Sequence, residues 1–311
     1  MSAIAPIERA VDRMLLRRRR IMDLATWIAA GLALALLGFA LLHIIGYVFV
    51  RGVQSLNLQT FTTDTQGIAG GLRNAILGSL LLSGFALLIA APVGVSAGIY
   101  LSEYGDGWVG RIARFMSDVL VGVPSIVLGY FGYVTMVLYL GWKFSMLAGA
   151  ITLAILMLPY IARTSEMALR AVPLSVREAA YGLGCNEGWL VLRILLPAAR
   201  VPIFTGILLA LAISLGETAP LIYTVNWSNY TWSGHFTHEP VAYLTYVIWS
   251  YIGEPYASAH KLAYAAALLI TLMVLVINLL ARADVEKALI RYHLAVSILR
   301  ESPCWGASRI F

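Results

Sequence analysis

Residues Glu178–Pro197 read EAAYGLGCNEGWLVLRILLP. The stretch lies between two long apolar segments, yet it carries Glu178, Glu187 and Arg193 and is broken by Gly182, Gly184 and Gly188. It therefore cannot be one more membrane-crossing helix, which needs about 20 predominantly apolar residues. It reads as a polar, glycine-hinged insert between two spans.

Composition agrees with a bilayer protein. Of 311 residues, 60% are hydrophobic and 12% charged, with a mean hydropathy of +0.81. A soluble domain devotes about a quarter of its residues to charge. The two cysteines, Cys185 and Cys304, lie far apart without metal or redox spacing, so no disulfide framework is expected.

Six apolar runs meet the length criterion: residues 24–50, 74–102, 119–142, 144–162, 201–223 and 262–281. The third and fourth are separated only by Lys143, beside Gly141, and so read as a pair joined by a tight turn. The first run is too long for a secretory signal and has no cleavage site after a short core.

Basic residues set the orientation. Arg9, Arg13, Arg17, Arg18, Arg19 and Arg20 precede the first run. With that end cytoplasmic and six spans, only Arg51, Arg73, Lys143 and Lys261 of the 22 basic residues fall outside. This asymmetry predicts a multi-pass membrane protein of six spans with both termini cytoplasmic. Anchoring to anionic membrane lipid accounts for the basic N-terminus, so no nucleic-acid partner is expected. Outside, Trp227, Tyr230, Trp232, Tyr243 and Tyr246 suit a segment lying at headgroup level.

Within the largest inside loop, residues 163–200, alanines favour helix and Pro173 interrupts it. Ser175 offers a cap for a fresh helical piece, with Glu178 three residues on. Gly182 and Gly184 allow a sharp turn, residues 187–196 form a second short helix, and Pro197 restarts the chain toward the fifth span. Such a unit lies across the membrane surface and can pass a push from a soluble domain to the spans beside it.

Glu178-Ala179-Ala180, Gly184, Ile194, Leu196 and Pro197 stand at the spacing EAA, three residues, Gly, nine residues, Ile-x-Leu-Pro. This resembles the signature of the permease subunits of bacterial ATP-binding-cassette importers. The resemblance implies an all-α, six-span type I importer permease with a cytoplasmic coupling helix that docks on an ATPase subunit. Ala179 and Ala180 would then be the close-packing surface, Gly184 the turn, and Glu178 a polar contact or cap. The implied division is a tail at 1–23, a first span at 24–50, a core at 70–282 with coupling segment 163–200, and a tail at 283–311.

Pro124-Ser125-Ile126-Val127 with Gly129, Gly216-Glu217-Thr218-Ala219-Pro220-Leu221, and the region from Pro240 through the sixth run resemble the phosphate-importer branch, A-type subunit. That resemblance implies four partners: a homologous permease, two copies of an ATPase subunit that bind ATP and magnesium, an extracytoplasmic phosphate-binding protein, and inorganic phosphate. Glu217, within an apolar run, is a candidate path or gating residue, with Thr218 and Ser125 beside it as polar or close-packing elements. A lone carboxylate is a poor anion ligand, so it would meet phosphate only by accepting a proton or by orienting a donor. The branch often carries an arginine just before that glutamate, where this chain has Ala212-Ile213-Ser214, so the partner of Glu217 must come from another span or subunit. Arg73, at the outer end of the second run, either greets an incoming anion or snorkels to the interface.

No phosphate-binding GxxxxGK[ST] loop, HExxH or CxxC is present, and His235 and His238 lie in a polar loop. The chain is therefore expected to be a transport subunit without cofactor or metal, not an enzyme. A permease for another oxyanion or small solute and a noncatalytic membrane scaffold are the alternatives.

Overall fold

The computed structural model describes residues 5–301, with side chains for 19–20 and 22–283. The chain divides into two units after Gln54. The first is almost entirely one helix, α1 (Ala5–Ser55). The basic stretch and the first apolar run are thus continuous, because no proline or glycine separates them between Ile7 and Ala30.

The second unit begins with a short helix, α2 (Leu58–Thr62), and a two-residue-per-strand hairpin, Thr65–Gln66 paired with Ala69–Gly70. It continues with α3 (Arg73–Glu103), α4 (Trp108–Gly122), α5 (Ser125–Gly132) and a π-helical extension (Tyr133–Tyr139). After α6 (Met146–Arg170) come α7 (Leu174–Gly182), α8 (Glu187–Leu190), a π turn (Val191–Leu195) and α9 (Leu196–Leu215). The remainder is α10 (Ala219–Thr224), α11 (Leu244–Tyr251) and α12 (Ala257–Glu301). This is an all-α, multi-span membrane fold: five helices are long and apolar enough to cross a bilayer, and six if the bent pair α4–α5 counts as one.

Three boundaries differ from the hydropathy reading. The run 119–142 is not straight, because the chain bends by 101° between α4 and α5. The residue before a proline is pushed out of helical geometry, and Val123, before Pro124, takes ψ 128. The run 201–223 is interrupted at residues 216–218, between α9 and α10. The sixth run and the following segment form one helix up to Glu301; the ends of the expected tails, residues 1–4 and 302–311, lie outside the described residues.

α3 and α6 form the centre of this unit. Leu82, Ala86 and Ala90 on α3 pack with Leu153, Met157 and Ile161 on α6, all essentially inaccessible to solvent. Small residues bring the two backbones together: a Cβ at Gly94 would lie 2.8 Å from Ile161, and one at Gly98 would fall on Ser165. Close backbone approach of this kind replaces the hydrophobic drive that lipid cannot supply.

The tight turn before α6 forms as expected, with Gly141 and Lys143 at φ 70 and 55. Ser145 then caps α6 at the Ala148 amide, and the Leu147 amide donates to the Phe236 carbonyl at 2.9 Å. In the aromatic loop that supplies Phe236, Trp232 packs on Phe85, Trp227 stacks on Tyr246 at 4.9 Å and Tyr243 is wholly buried, whereas Tyr230 is exposed.

Gly98→Leu should lower the thermal stability of the detergent-solubilised protein by about 1–3 kcal/mol through overpacking. Gly84→Leu, on the same helix with nothing within 4 Å, should leave it unchanged. Fluorescence-detected melting curves of the two variants check this.

Candidate functional site

α7 starts directly after Pro173, whose fixed φ of −56 leads into the helix; Ser175 is not its cap. α7 ends in a Schellman turn. The Cys185 amide donates to the Ala180 carbonyl at 3.1 Å, the Gly184 amide to that of Tyr181 at 2.9 Å, and Gly184 sits at φ 81. Glycine is required there because a Cβ is strained in the left-handed region. Asn186 then accepts from the Trp189 amide at 2.8 Å and opens α8, which runs through the π turn into α9 with Pro197 in its first turn.

The signature residues divide between two faces. Ala180, Leu190, Val191 and Leu195 are buried against Leu169, Ala199 and Ile203, with Ile194 and Leu196 half-buried beside them. Glu178, Ala179, Gly184 and Pro197 are exposed, so the expected Ala179–Ala180 packing pair is split by helical geometry: only Ala180 faces the bundle. Outward with them point Leu174, Tyr181, Trp189 and Leu183, the last 85% exposed at the turn. Glu178 has no hydrogen-bond or ion-pair partner among the described residues, so it does not cap backbone.

This segment is tied to the end of α3. Arg177 pairs with Glu103 at 2.5 Å and donates to the Leu169 carbonyl at 3.0 Å. The Tyr104 hydroxyl donates to Glu187 at 2.8 Å, and that carboxylate pushes the phenol pKa up. Behind these contacts is Glu166 on α6, whose side chain is 4% exposed and meets three arginines: Arg114 at 2.7 Å, Arg170 at 3.3 Å and Arg163 at 3.4 Å. Arg114 also donates to the Gly105 and Leu101 carbonyls, both at 2.8 Å. Sequence reasoning did not single out Glu103, Arg114 or Glu166. The spacing of Glu166 from Arg163 and Arg170, three and four residues apart, is the signal that could have found it.

A second constellation forms where the fifth run breaks. The Glu217 carbonyl accepts from the Thr245 hydroxyl at 2.9 Å, and Pro220 in the first turn of α10 lies so close to α5 that a Cβ at Gly129 would be 2.5 Å from its Cα. This contact sets Ser125, at the start of α5, beside the half-buried Glu217 carboxylate, with half-buried Thr218 next in the chain. The neighbour of Glu217 thus comes from another helix, and no arginine pairs with it among the described residues.

Arg73 is engaged elsewhere. It opens α3 and grips Asp64 through Nε at 2.9 Å and a second nitrogen at 3.3 Å, so it is neither a free cation nor a simple snorkelling residue. Thr231 donates to both Asp64 oxygens at 3.0 Å. Partial burial pushes the Asp64 pKa up, but the Arg73 and Thr231 hydrogen bonds outweigh it and hold the carboxyl below its usual value.

The family model for binding-protein-dependent transport system inner membrane components matches residues 90–285. The chain belongs to this family. Among its relatives, the phosphate transport system permease protein PstA 2 of Mycobacterium bovis is 43% identical over 282 residues, covering 91% of this chain and 92% of the relative. The corresponding PstA of Yersinia pestis is 44% identical over 267 residues, covering 84% and 90%. The inward-facing MetNI methionine ABC transporter shares the fold at a TM-score of 0.56 and 18% identity, over 68% of this chain and 95% of that one. The family is one of transport permeases, in agreement with the expectation of a subunit that is not an enzyme.

Two outcomes follow. Gly184→Val should destabilise the α7–α8 turn by about 1–2 kcal/mol, seen as faster hydrogen exchange confined to residues 178–190. Because the folded Asp64 pKa is depressed, its clamp is present above the unfolded value and is lost only as pH falls through the lower folded one. Proteolysis of the 64–73 loop should therefore stay slow to below about pH 4, and Asp64→Asn should make it fast at every pH.

Proposed function

We propose that this chain is the membrane-spanning permease subunit of an ATP-driven phosphate importer. It would form the translocation path with a homologous permease. The reading is carried by the exposed α7–α8 surface, an EAA segment closed by the Gly184 turn and mounted on a multi-span bundle whose own sequence has no nucleotide-binding loop. The names of the relatives supply the substrate.

In this reading α4 and α5 together are the third of six spans, and the α7–α8 end is cytoplasmic, which the arginine distribution supports. Two ATPase subunits bind ATP and magnesium on that side, and one of them grips Leu183, Tyr181, Ala179 and Glu178 of this chain. An extracytoplasmic phosphate-binding protein delivers the anion at the opposite end, near Arg73 and Asp64. ATP-driven closure of the ATPase pair displaces the α7–α8 segment and opens the path outward, and hydrolysis resets it. Glu217, Thr218 and Ser125 line the path or its gate, where the carboxylate meets phosphate through a phosphate proton or through a donor that it orients. The missing arginine beside Glu217 favours, as the second reading, a permease for another oxyanion.

The test is uptake into proteoliposomes holding the whole complex. Labelled phosphate should accumulate only with ATP and binding protein, and labelled sulfate should not. Leu183→Glu should cut uptake by about tenfold or more while the chain still inserts. Sulfate uptake without phosphate uptake would establish the second reading instead.

A further inference from the structure

The coupling segment packs its apolar face on Leu169, Ala199 and Ile203, and Arg177 also donates to the Leu169 carbonyl of α6. Its two polar anchors, Arg177 on α7 and Glu187 on α8, both reach the end of α3, at Glu103 and Tyr104. Neither anchor reaches α4 directly. The α3 end is gripped from the other side by Arg114 of α4, which donates to Leu101 and Gly105, and by Arg170 of α6, which donates to Leu101 at 3.1 Å. Glu166, buried between them, holds both guanidiniums in place. α4 also abuts this junction by backbone, since a Cβ at Gly110 would fall on Gly105. α4 then turns through 101° into α5, which carries Ser125 to Glu217.

We propose that the α3 terminus, residues 101–105, is the relay that carries displacement of the α7–α8 segment to the broken helix α4–α5 and so to the close packing of Gly129 on Pro220, three residues from Glu217. Glu103, Tyr104, Arg114 and Glu166 are positioning residues and touch no substrate. The physical basis is stiffness. The Arg114 side chain is 21% exposed and that of Glu166 4%, and Arg114 bonds at once to the Glu166 carboxylate and to the Gly105 and Leu101 carbonyls, so these charge-assisted bonds tie α4 to the end of α3 and to α6 together. A movement of α3's end therefore moves α4 with it. The reading rests on the assignment of α7–α8 as the coupling segment.

The relay predicts a specific energetic coupling, which a charge swap measures. In the full complex, Glu103→Arg and Arg177→Glu should each cut ATP-dependent phosphate uptake by about tenfold or more, with the ATPase still co-purifying, and the double swap should recover most of the loss. A second readout does not depend on the transported ion. With Cys185→Ala and Cys304→Ser, a Val121→Cys thiol at the exposed end of α4 should react with maleimide at rates that differ between nucleotide-free and ATP-bound complexes. The single variants should abolish that difference and the swap should restore it. If the charge variants fail to insert, Tyr104→Phe, which deletes one hydroxyl, should weaken the nucleotide-dependent difference alone. Single variants that behave as wild type, or a swap no better than the worse single variant, would overturn the relay. A wild-type complex that shows the nucleotide-dependent thiol rates but imports no phosphate would overturn the phosphate reading and leave the relay standing.

Discussion

The buried carboxylate of Glu166 is the constraint around which one end of the molecule is organised. A carboxylate that is 4% exposed survives only if it is paired and hydrogen-bonded, and here three arginines from two helices converge on it. Removing the carboxylate would leave the three guanidiniums without their shared counter-charge, with Arg114 the most buried of them. The geometry of α4, of the end of α3 and of the lower half of α6 is therefore set jointly. The α7–α8 segment inherits that geometry through Arg177 and Glu187. The apolar centre above it, where Gly94 and Gly98 let α3 and α6 touch, keeps the frame rigid enough for a local displacement to be felt elsewhere.

Much of this was legible in the sequence where the signal is local. Hydropathy located each long apolar helix, because bilayer thickness imposes a length that composition alone reveals. The turn at Gly184 was legible because glycine answers a local demand for positive φ, whereas the start of α7 follows Pro173 and not a Ser175 cap. What failed was long-range. Glu166 gains its role from Arg114, 52 residues away, and no window of sequence contains that pair. In the aromatic loop near residue 230, Trp232 and Trp227 meet Phe85 and Tyr246, ring partners that only the tertiary fold brings near. The bend at Pro124 was within reach of sequence reasoning, since the residue before a proline leaves the helical region, but continuous hydropathy across 119–142 masked it.

At the candidate path, sequence placed a carboxylate in an apolar run, and the structure shows why the run tolerates it: the helix is broken there. Residues 216–218 lie between α9 and α10, backbone groups freed by the break are met by Thr245, and Ser125 arrives from another helix. Irregular backbone at membrane depth is tolerated where it is enclosed by protein or lines a cavity. Two broken elements, α4–α5 and α9–α10, therefore meet at Gly129 and Pro220. In the proposed importer the charged cluster would stand at the energy-receiving end and the two breaks along the path.

If the exposed turn between α7 and α8 faces the cytoplasm and is held by an ATP-hydrolysing partner, site-directed cross-linking from Leu183→Cys in intact membranes should give a covalent adduct to the ATPase subunit and no reaction with a membrane-impermeant thiol reagent added from outside. Labelling of that cysteine from the outside, with no adduct to any ATPase, would rule out both the orientation and the partner.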